Sequence, residues 1–413
     1  MNVWQRQWWK QLERVGKRQS KRNRKLITDL LPKPAPKKRA SSARKTGIKI
    51  GTNAGIKSVI KPALKRAPKL TQPSAAFKLK PSRTHSTKLI PVQRKATGKW
   101  LSGYFISTEL DRKLFTQRML YWLYLPSTLA TTTPAASLPL VVMLHGCEQS
   151  ATEFARGTRM NFLAEEKGFA VLYPQQARVV HPNRCWHWYV TEEQHGGAET
   201  LLIAGAIQKV LHTHGLDRSR VYLAGISAGA AIATEVALNY PRMVAALGLH
   251  SAPVFGAATS MMNAYSIMQH GAAGRLTQPI RAALARQPQF PTLPAILIQG
   301  LQDKVVRPIN QQQLVTQFLE LRNQQNPLPP TLDKTETRVL GRGSSAYTRE
   351  DYSDNGRVFL RVCQVEQLEH AWSGGDRQLP FNGAGPDASK MMWSFFSRQR
   401  RVLPDIDQIS SLP

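Results

Sequence analysis

The apolar residues that follow residue 97 fall into two kinds of run. Short continuous runs are typical of buried parallel strands, and apolar positions three and four residues apart are typical of helices. The continuous runs predict strands at 114–124, 140–144, 169–173, 221–224, 244–249, 295–299 and 357–363. The helically spaced runs predict helices at 160–167, 198–212, 230–238, 308–322 and 387–398.

Strands and helices alternate along this region. The alternation predicts an α/β fold in which a mostly parallel central sheet is covered by helices on both faces. Residues 254–290 interrupt it and are expected to be irregular. They contain Met261, Met262 and Met268 and suit a lid or a pocket wall.

A G-x-S-x-G pentapeptide, Gly225 to Gly229, lies between the apolar run at 221–224 and the helical run at 230–238. This is the strand–turn–helix context of a nucleophile elbow, in which small neighbours allow a turn so tight that the serine hydroxyl is held out toward solvent. The pattern predicts that Ser227 is a nucleophile. The alternative is a glycine-rich turn with a bystander serine.

A serine hydroxyl needs a base to take its proton and an acid to orient that base. In this kind of sheet the acid and then the histidine follow the serine along the chain. Asp303 comes shortly after the apolar run at 295–299, and His370 lies beyond the strand pattern at 357–363. Ser227, Asp303 and His370 are therefore predicted to form a catalytic triad.

Other residues compete for the roles of acid and base. An aspartate after a strand is often only a turn or cap residue, so Asp303 could be that. Glu366 and Glu369 are rival acids, but they lie too close in sequence to His370 to come from the preceding strand's loop. His250 also ends an apolar run, but it comes before the place where the acid is expected.

The apolar run at 139–144 ends in a His-Gly-Cys turn. A turn at this place can aim a backbone N–H at an ester carbonyl oxygen, and the residue after the nucleophile supplies the second N–H. We therefore expect Cys147 and Ala228 to form the oxyanion hole. His145 precedes the serine and is expected to pack beneath this loop.

Six motifs follow one another in a recognisable order: Leu144-His145-Gly146-Cys147-x-Gln149, Tyr173-Pro174-x-Gln176, Cys185-Trp186-x-Trp188, the serine pentapeptide, His370-Ala371-Trp372-Ser373-Gly374-Gly375 and Gly385-Pro386-Asp387-Ala388-Ser389. With them, residues 98–398 resemble the esterase family of poly(3-hydroxybutyrate) (PHB) depolymerases, which includes feruloyl and acetylxylan esterase relatives. The resemblance implies an α/β-hydrolase fold, hydrolysis of carboxylic esters and the role of triad acid for Asp303.

The chain departs from the pattern of this family at three places. Ala230 stands where a second glycine is usual, and the stretch from Gln299 to Asp303 lacks the usual histidine and first aspartate. His187 replaces a usual asparagine between two tryptophans. This last change could alter the substrate pocket.

Three tryptophans lie in loops next to the predicted oxyanion cysteine and the predicted base: Trp186, Trp188 and Trp372. Their rings could offer flat apolar surface to an acyl chain. The alternative is that they belong to the core.

The resemblance also implies a disulfide between Cys147 and Cys185, which would brace the oxyanion loop. The lack of a recognisable secretory signal peptide argues instead for a reducing compartment, where disulfides are rare. Cys363 lies in a strand pattern and is expected to be a buried small hydrophobe. The cysteines are far apart, so we expect neither a metal site nor another cofactor.

Positive charge is concentrated at the start of the chain. Residues 1–99 hold 28 Lys and Arg and two acids, a formal net charge of +26, which leaves +5 of the total +31 for residues 100–413. Residues 1–97 are a basic N-terminal segment, predicted to be disordered over 33–97 because too little apolar surface offsets the entropy of ordering. The catalytic domain is expected at 98–400, followed by a tail at 401–413.

Near the start of the chain, Trp4, Trp8, Leu12 and Val15 fall on one side of a helical wheel and basic residues on the other. This predicts an amphipathic helix over 2–22 that lies on an apolar–aqueous boundary. Docking on the catalytic domain and the absence of a stable helix are the alternatives. The basic segment could bind a polyester granule or another anionic surface, bind nucleic acid through its phosphates, or serve only solubility.

No apolar run is long enough to predict a transmembrane helix. With no recognisable signal peptide, we expect a cytoplasmic and granule-associated protein. The family resemblance implies an extracellular location as the alternative.

The favoured function is that of a serine esterase that hydrolyses a polymeric or oligomeric 3-hydroxyalkanoate through an acyl-enzyme. The same chemistry on feruloyl or acetyl esters of plant polysaccharide is the first alternative. The second is a non-catalytic granule- or nucleoid-associated protein, which an intact set of triad candidates argues against.

Overall fold

In a computed structural model of the chain, residues 96–107, 118–127, 138–274, 276–287, 289–325, 333–339 and 346–402 are described. The predicted amphipathic helix at 2–22 lies outside these residues. So do all but the last two residues of the basic segment at 1–97 and all but the first two of the tail at 401–413.

The described strands are β1 (Lys99–Ile106), β2 (Arg118–Leu125), β3 (Leu140–Leu144), β4 (Ala170–Gln175), β5 (Val221–Ile226), β6 (Ala246–His250), β7 (Ala295–Gly300), β8 (Asp333–Val339), β9 (Tyr347–Asp354), β10 (Arg357–Val365), β11 (Trp372–Ser373) and β12 (Asn382–Gly383). The described helices are α1 (Ala151–Thr158), α2 (Met160–Lys167), α3 (Thr191–Gln194), α4 (Ala198–His214), α5 (Ala228–Asn239), α6 (Met261–His270), α7 (Gln278–Arg286), α8 (Ile309–Gln325) and α9 (Ala388–Phe396).

Ten of these strands form one sheet, in the order β1-β2-β4-β3-β5-β6-β7-β10-β9-β8. The strands from β4 to β10 in this order are parallel neighbours, and antiparallel strands extend the sheet at both edges. The prediction of a mostly parallel sheet is confirmed. Because parallel strands end on the same side of a sheet, the loops after β3, β5, β7 and β10 lie on one side.

Strand β3 shows how one sheet serves two cores. All five of its residues are buried, and successive side chains point to opposite faces. Leu140, Val142 and Leu144 pack in the core that contains residues of α4, α5 and α8. Val141 and Met143 pack in the core that contains residues of α1, α2 and α9. The expected helices on both faces are therefore present.

The edges of the sheet differ most from the sequence-based expectation. Strands β1, β8 and β9 were not predicted, because they carry exposed or half-exposed residues and lack a continuous apolar run. Six of the seven residues of β8 are exposed, and its Lys334 pairs with Glu350 of β9 at 3.1 Å. At the opposite edge, β1 exposes Trp100, Tyr104 and Ile106.

The expectation that residues 254–290 are irregular was wrong, because helices α6 and α7 lie within them. Both helices are short, and the apolar residues that they bury are Ala264, Ile267 and Met268 in α6 and Ile280 and Ala283 in α7. Among the described residues, no helix combines the length and the apolar character needed to cross a membrane.

Candidate active site

Ser227 occupies a strained turn between β5 and α5. Its backbone has φ 56° and ψ −124°, a conformation that costs free energy in a residue with a Cβ. Its N–H donates to the carbonyl of His250 at the end of β6, 3.0 Å away. The turn therefore holds Ser227 at the carboxyl end of the sheet, where the residue is buried and not held out toward solvent as expected.

The two glycines of the pentapeptide are required by close backbone contacts. A Cβ on Gly225 would lie 2.4 Å from the backbone of Gly229. A Cβ on Gly229 would lie 2.1 Å from the carbonyl oxygen of Leu144 and 2.5 Å from that of His145. The start of α5 is thus pressed against the end of β3, where the predicted oxyanion turn begins.

The structure brings Asp303 and His370 together. His370 Nδ1 and Asp303 Oδ2 are 2.9 Å apart, and both residues are buried. The other carboxylate oxygen of Asp303 accepts from the N–H groups of Val305 and Val306, each at 2.9 Å. Gln299, which departs from the family pattern, donates to Asp303 Oδ2 at 3.2 Å. The carboxylate is therefore held in one orientation toward the histidine.

The loops that carry the acid and the base are bonded to each other. The N–H of Leu301 donates to the Val365 carbonyl, and the N–H of Gln302 donates to the Leu368 carbonyl, each at 3.0 Å. A Cβ on Gly300 would lie 2.1 Å from that same Leu368 oxygen. This contact fixes the spacing between Asp303 and His370.

His250 connects the elbow to the loop of the base. Its carbonyl accepts from Ser227, its Nε2 accepts from the N–H of Ser373 at 3.1 Å, and its ring stacks on Trp372. Burial and, to a smaller extent, the nearby His370 lower the pKa of His250 to about 3. The ring is therefore a neutral hydrogen-bond acceptor between the two loops.

The turn after β3 is shaped by its own side chains. Gln149 Oε1 accepts from the N–H of Gly146 at 2.9 Å. The ring of His145 contacts the Gly146 carbonyl through Nδ1 at 2.8 Å and accepts from the Gln176 N–H through Nε2 at 3.1 Å. Burial lowers the pKa of His145 to about 4, so it packs beneath the loop as a neutral residue.

The predicted donors of the oxyanion hole sit on either side of the contact between β3 and α5. Cys147 lies in the turn after β3, and a disulfide joins it to Cys185. Ala228 is the first residue of α5, and the first N–H groups of a helix have no acceptor within it. A Cβ on Gly146 would lie 3.4 Å from the carbonyl oxygen of Ile226, so the turn that holds Cys147 lies next to the residue that precedes Ser227. Cys363 is buried in β10, and burial raises its pKa to about 12.

A buried carboxylate that the sequence analysis missed supports this region. Glu199, in the first turn of α4, accepts from the N–H of His187 at 2.8 Å and contacts His187 Nδ1 at 2.5 Å. It also accepts from the side chain of Gln176, which donates as well to the carbonyl of Cys185 at 3.2 Å. Glu199 is thus linked to the oxyanion turn through Gln176 and through the disulfide.

No pattern in the sequence marked Glu199, because a single acid at the start of a helix is usually a solvent-exposed residue. The sequence shows that His187 departs from the family pattern, but it does not show that Glu199 is the partner of His187. The hydrogen bond to Glu199 raises the pKa of His187. Nearby, burial raises the pKa of Glu193, which accepts from the N–H of Glu199, and raises that of Glu235.

The three tryptophans predicted to line a pocket are buried. Trp186 and Trp372 are 0% exposed and Trp188 is 6% exposed. Trp186 donates to the carbonyl of His145 at 2.9 Å, and Trp372 packs edge-on against Phe154. The structure therefore favours the alternative of core packing, in which these rings support the loops of the site.

Within the described part of the chain, no three His, Cys, Asp or Glu residues are grouped so as to hold a metal ion. The described residues bring together a serine on a strained turn, a histidine bonded to a buried carboxylate, and a disulfide-linked turn next to the residue before the serine. Such an arrangement can carry out acyl transfer.

The chain is similar in sequence to known esterases and to a depolymerase. The family described as esterase PHB depolymerase matches residues 119–338. The chain is 33% identical over 188 residues to poly(3-hydroxyalkanoate) depolymerase C of Paucimonas lemoignei, which covers 44% of this chain and 45% of that protein. It is 29% identical over 251 residues to feruloyl esterase B of Thermothelomyces thermophilus, covering 57% of this chain and 79% of that protein. The match thus spans less than half the length of the depolymerase.

The solved structure of an acetyl xylan esterase from Aspergillus awamori is similar over 68% of this chain and 94% of that one, with a TM-score of 0.52 and 18% identity. A likeness at this level of identity concerns the fold alone. The fold is that of the α/β hydrolases, as the family resemblance implied.

The contact of Gly229 generates a prediction about stability. We expect Gly229→Ala to lower the free energy of unfolding by about 3 kcal/mol or more, because its Cβ meets backbone that cannot move aside. Gly168→Ala is the control, since Gly168 has φ 71° and nothing within 4 Å of the added Cβ. Gly168→Ala should lower the free energy of unfolding by only about 1–2 kcal/mol, the cost of a left-handed backbone conformation in a residue with a Cβ. Urea unfolding of both variants measures the difference, and equal losses would contradict this account of the contact.

The bond between His187 and Glu199 predicts a pH dependence. Because the folded-state pKa of His187 is raised, the bond stabilises the fold fully below the unfolded-state pKa, about 6.5. The stabilisation is lost as pH rises through the folded-state pKa. Glu199→Gln should therefore lower Tm more at about pH 5.5 than at about pH 8.5.

Glu192→Gln is the matched control, since Glu192 is an exposed acid in the neighbouring helix α3. Its Tm should stay close to that of the parent protein at both pH values. A Tm loss in Glu199→Gln that is independent of pH would show that the charge of His187 is not involved.

Proposed function

The chain belongs to the esterase family of PHB depolymerases, and we propose that it is a serine esterase that hydrolyses carboxylic esters. The observation that carries the proposal is the 2.9 Å hydrogen bond between His370 and Asp303. A histidine held by a carboxylate through Nδ1 is oriented to use Nε2 as a general base. The strained turn at Ser227 supports the same assignment, since backbone strain of this kind clusters at functional residues.

In the acylation step, Ser227 Oγ attacks the carbonyl carbon of the ester while His370 Nε2 takes the serine proton. Asp303 stabilises the imidazolium that forms. The negative charge that develops on the carbonyl oxygen is stabilised by the N–H groups of Cys147 and Ala228. The imidazolium then gives its proton to the departing alkoxide, and the acyl group stays on Ser227.

In the deacylation step, a water molecule gives a proton to His370 and attacks the acyl carbon. The bond between the acyl carbon and Ser227 Oγ breaks, and the serine oxygen regains its proton from the imidazolium. The carboxylic acid is released. The same oxyanion donors act in both steps, because each passes through a tetrahedral intermediate.

For the substrate, we propose a 3-hydroxyalkanoate polymer or oligomer. The identity to poly(3-hydroxyalkanoate) depolymerase C supports this class. A feruloyl ester is the second candidate, because the match to feruloyl esterase B extends over more of both chains.

We further propose that the basic N-terminal residues bring the enzyme to a polyester granule or another anionic surface. Support comes from the formal charge of +26 within residues 1–99, since such a charge attracts anionic surfaces over about a Debye length. Nucleic acid is the competing partner, because phosphates attract the same charge.

The triad assignment predicts the effects of three substitutions. Ser227→Ala and His370→Ala should each abolish ester hydrolysis without unfolding the protein, because covalent attack and proton transfer need these side chains. Asp303→Asn should lower kcat by about 10⁴-fold. A fluorophosphonate probe should label the parent protein and not Ser227→Ala. Equal labelling would overturn the assignment of the nucleophile.

The matched control for Asp303 is Glu366→Gln, which neutralises a rival acid that pairs with Arg338. It should retain parental activity. If Glu366→Gln is inactive and Asp303→Asn is active, the acid of the triad has been misassigned.

The substrate proposal is tested with amorphous polyhydroxybutyrate, methyl ferulate and a short acyl ester. We expect the highest kcat/KM on the hydroxyalkanoate. A higher value on methyl ferulate would favour the second candidate, and no activity on any ester would refute the enzyme function.

Removal of residues 1–95 tests the role of the basic segment. Activity on a soluble neutral ester should stay within about twofold, because remote charge does not enter the transition state of a neutral substrate. Binding to isolated granules or anionic vesicles should fall, and binding of the full chain should weaken as salt rises. If duplex DNA strips the full chain from granules, phosphate is the preferred partner. Unchanged binding of the truncated chain would refute the proposal.

A further inference from the structure

A cavity lined by residues of helices α6 and α7 contains no triad residue. Its volume is about 500 Å³, within the range of small-molecule sites. Helix α5 lies between the triad and the cavity. It starts next to Ser227 and ends at Asn239. The side chain of Asn239 donates to the carbonyl of Gln194, which lines the cavity. A helix of 12 residues spans about 18 Å.

The end of the cavity near Asn239 is polar and positively charged. Gln287 follows Arg286 and donates to the Asn239 carbonyl at 2.8 Å, so Arg286 lies at the same end as Gln194 and His195. Arg286 and His195 are the charged or titratable side chains among the described lining residues, which include no acid. This end therefore complements an anion and would repel a cation.

The opposite end of the cavity is apolar. The carbonyls of Phe255 and Leu276 both accept from Gln317 Nε2 of α8, each at 2.9 Å, which places the two residues together. Pro279 in the first turn of α7 and the buried Ile267 of α6 complete this end. From Gln278 to Arg286, helix α7 runs for about 12 Å along the cavity.

Glycine keeps the walls close together at the apolar end. Gly256 has φ 70°, and a Cβ there would lie 2.3 Å from the ring of Pro279. The segment after β6 can therefore pack directly on the start of α7. The cavity therefore has one polar end and one apolar end, separated by about the length of helix α7.

From these observations we propose that the cavity binds a linear carboxylic acid with an apolar chain, such as a medium-chain fatty or hydroxyalkanoic acid. The carboxylate lies at Arg286, whose planar guanidinium can donate two parallel hydrogen bonds to it. Gln194 donates to the carbonyl of Ala258 at 2.8 Å, and Asn263 accepts from the N–H of Thr259 at 3.1 Å, so the cavity-lining Asn263 lies at this end too. The chain extends toward Phe255 and Leu276. The proposal does not depend on ester hydrolysis by the triad.

The test is calorimetric titration of sodium octanoate into the full-length protein after treatment with a fluorophosphonate, which covers the active-site serine. We expect one octanoate to bind per protein. Arg286→Gln should weaken its binding about tenfold or more, because a charge-assisted pair is lost. Octanamide should bind more weakly than octanoate, because it carries no charge.

Arg281→Gln is the matched control. Arg281 lies on the same helix and carries the same charge, but it pairs with Glu320 at 2.6 Å and does not line the cavity. The Arg281→Gln variant should bind octanoate as tightly as the parent protein. Each variant loses one positive charge, so any general attraction of octanoate to the basic protein is the same in both. Ala282→Phe, which adds a ring on the cavity face of α7, should block binding.

Equal binding by Arg286→Gln and Arg281→Gln would overturn the proposal. So would binding of octanamide as tight as that of octanoate, or unchanged binding by Ala282→Phe. If the probe fails to label Ser227, the proposed esterase function fails, while the comparison of the two arginine variants still decides the cavity.

Discussion

The contact between the first turn of helix α5 and the end of strand β3 is the constraint on which the site depends. Gly229 has no Cβ, so its backbone can approach the carbonyl oxygens of Leu144 and His145. That approach brings the turn that holds Cys147 beside Ser227 and Ala228. The distance between the nucleophile and the two proposed oxyanion donors therefore depends on contacts between backbone atoms.

Two buried histidines near the candidate site are uncharged. Burial lowers the pKa of His145 to about 4 and that of His250 to about 3. Each neutral ring accepts a backbone N–H, from Gln176 and from Ser373 respectively. A charged ring at His250 would oppose the imidazolium that forms at His370 in the proposed mechanism. The neutral rings instead act as rigid spacers between loops.

Sequence reasoning reached the features that depend on local chemistry. The central strands were predicted because they are continuously apolar, and the pentapeptide identified a turn whose glycines are required by contacts below 3 Å. The sequence does not predict features that depend on contacts between distant residues. The partnership of Glu199 with His187 joins a helix start to a loop, and the burial of Trp186 and Trp372 depends on what covers them. The edge strands were missed because half-exposed strands lack a simple apolar pattern.

The two edges of the sheet differ in how readily they can pair with a strand from another copy of the chain. An open edge offers unpaired backbone N–H and carbonyl groups to a strand from another molecule. Along β8, which runs Asp333–Val339, exposed charged residues such as Lys334 and Glu336 discourage such an approach. Along β1, the exposed Trp100, Tyr104 and Ile106 offer apolar contact area instead. In the described part of the sheet, charged side chains therefore discourage strand addition along β8, and apolar side chains favour it along β1.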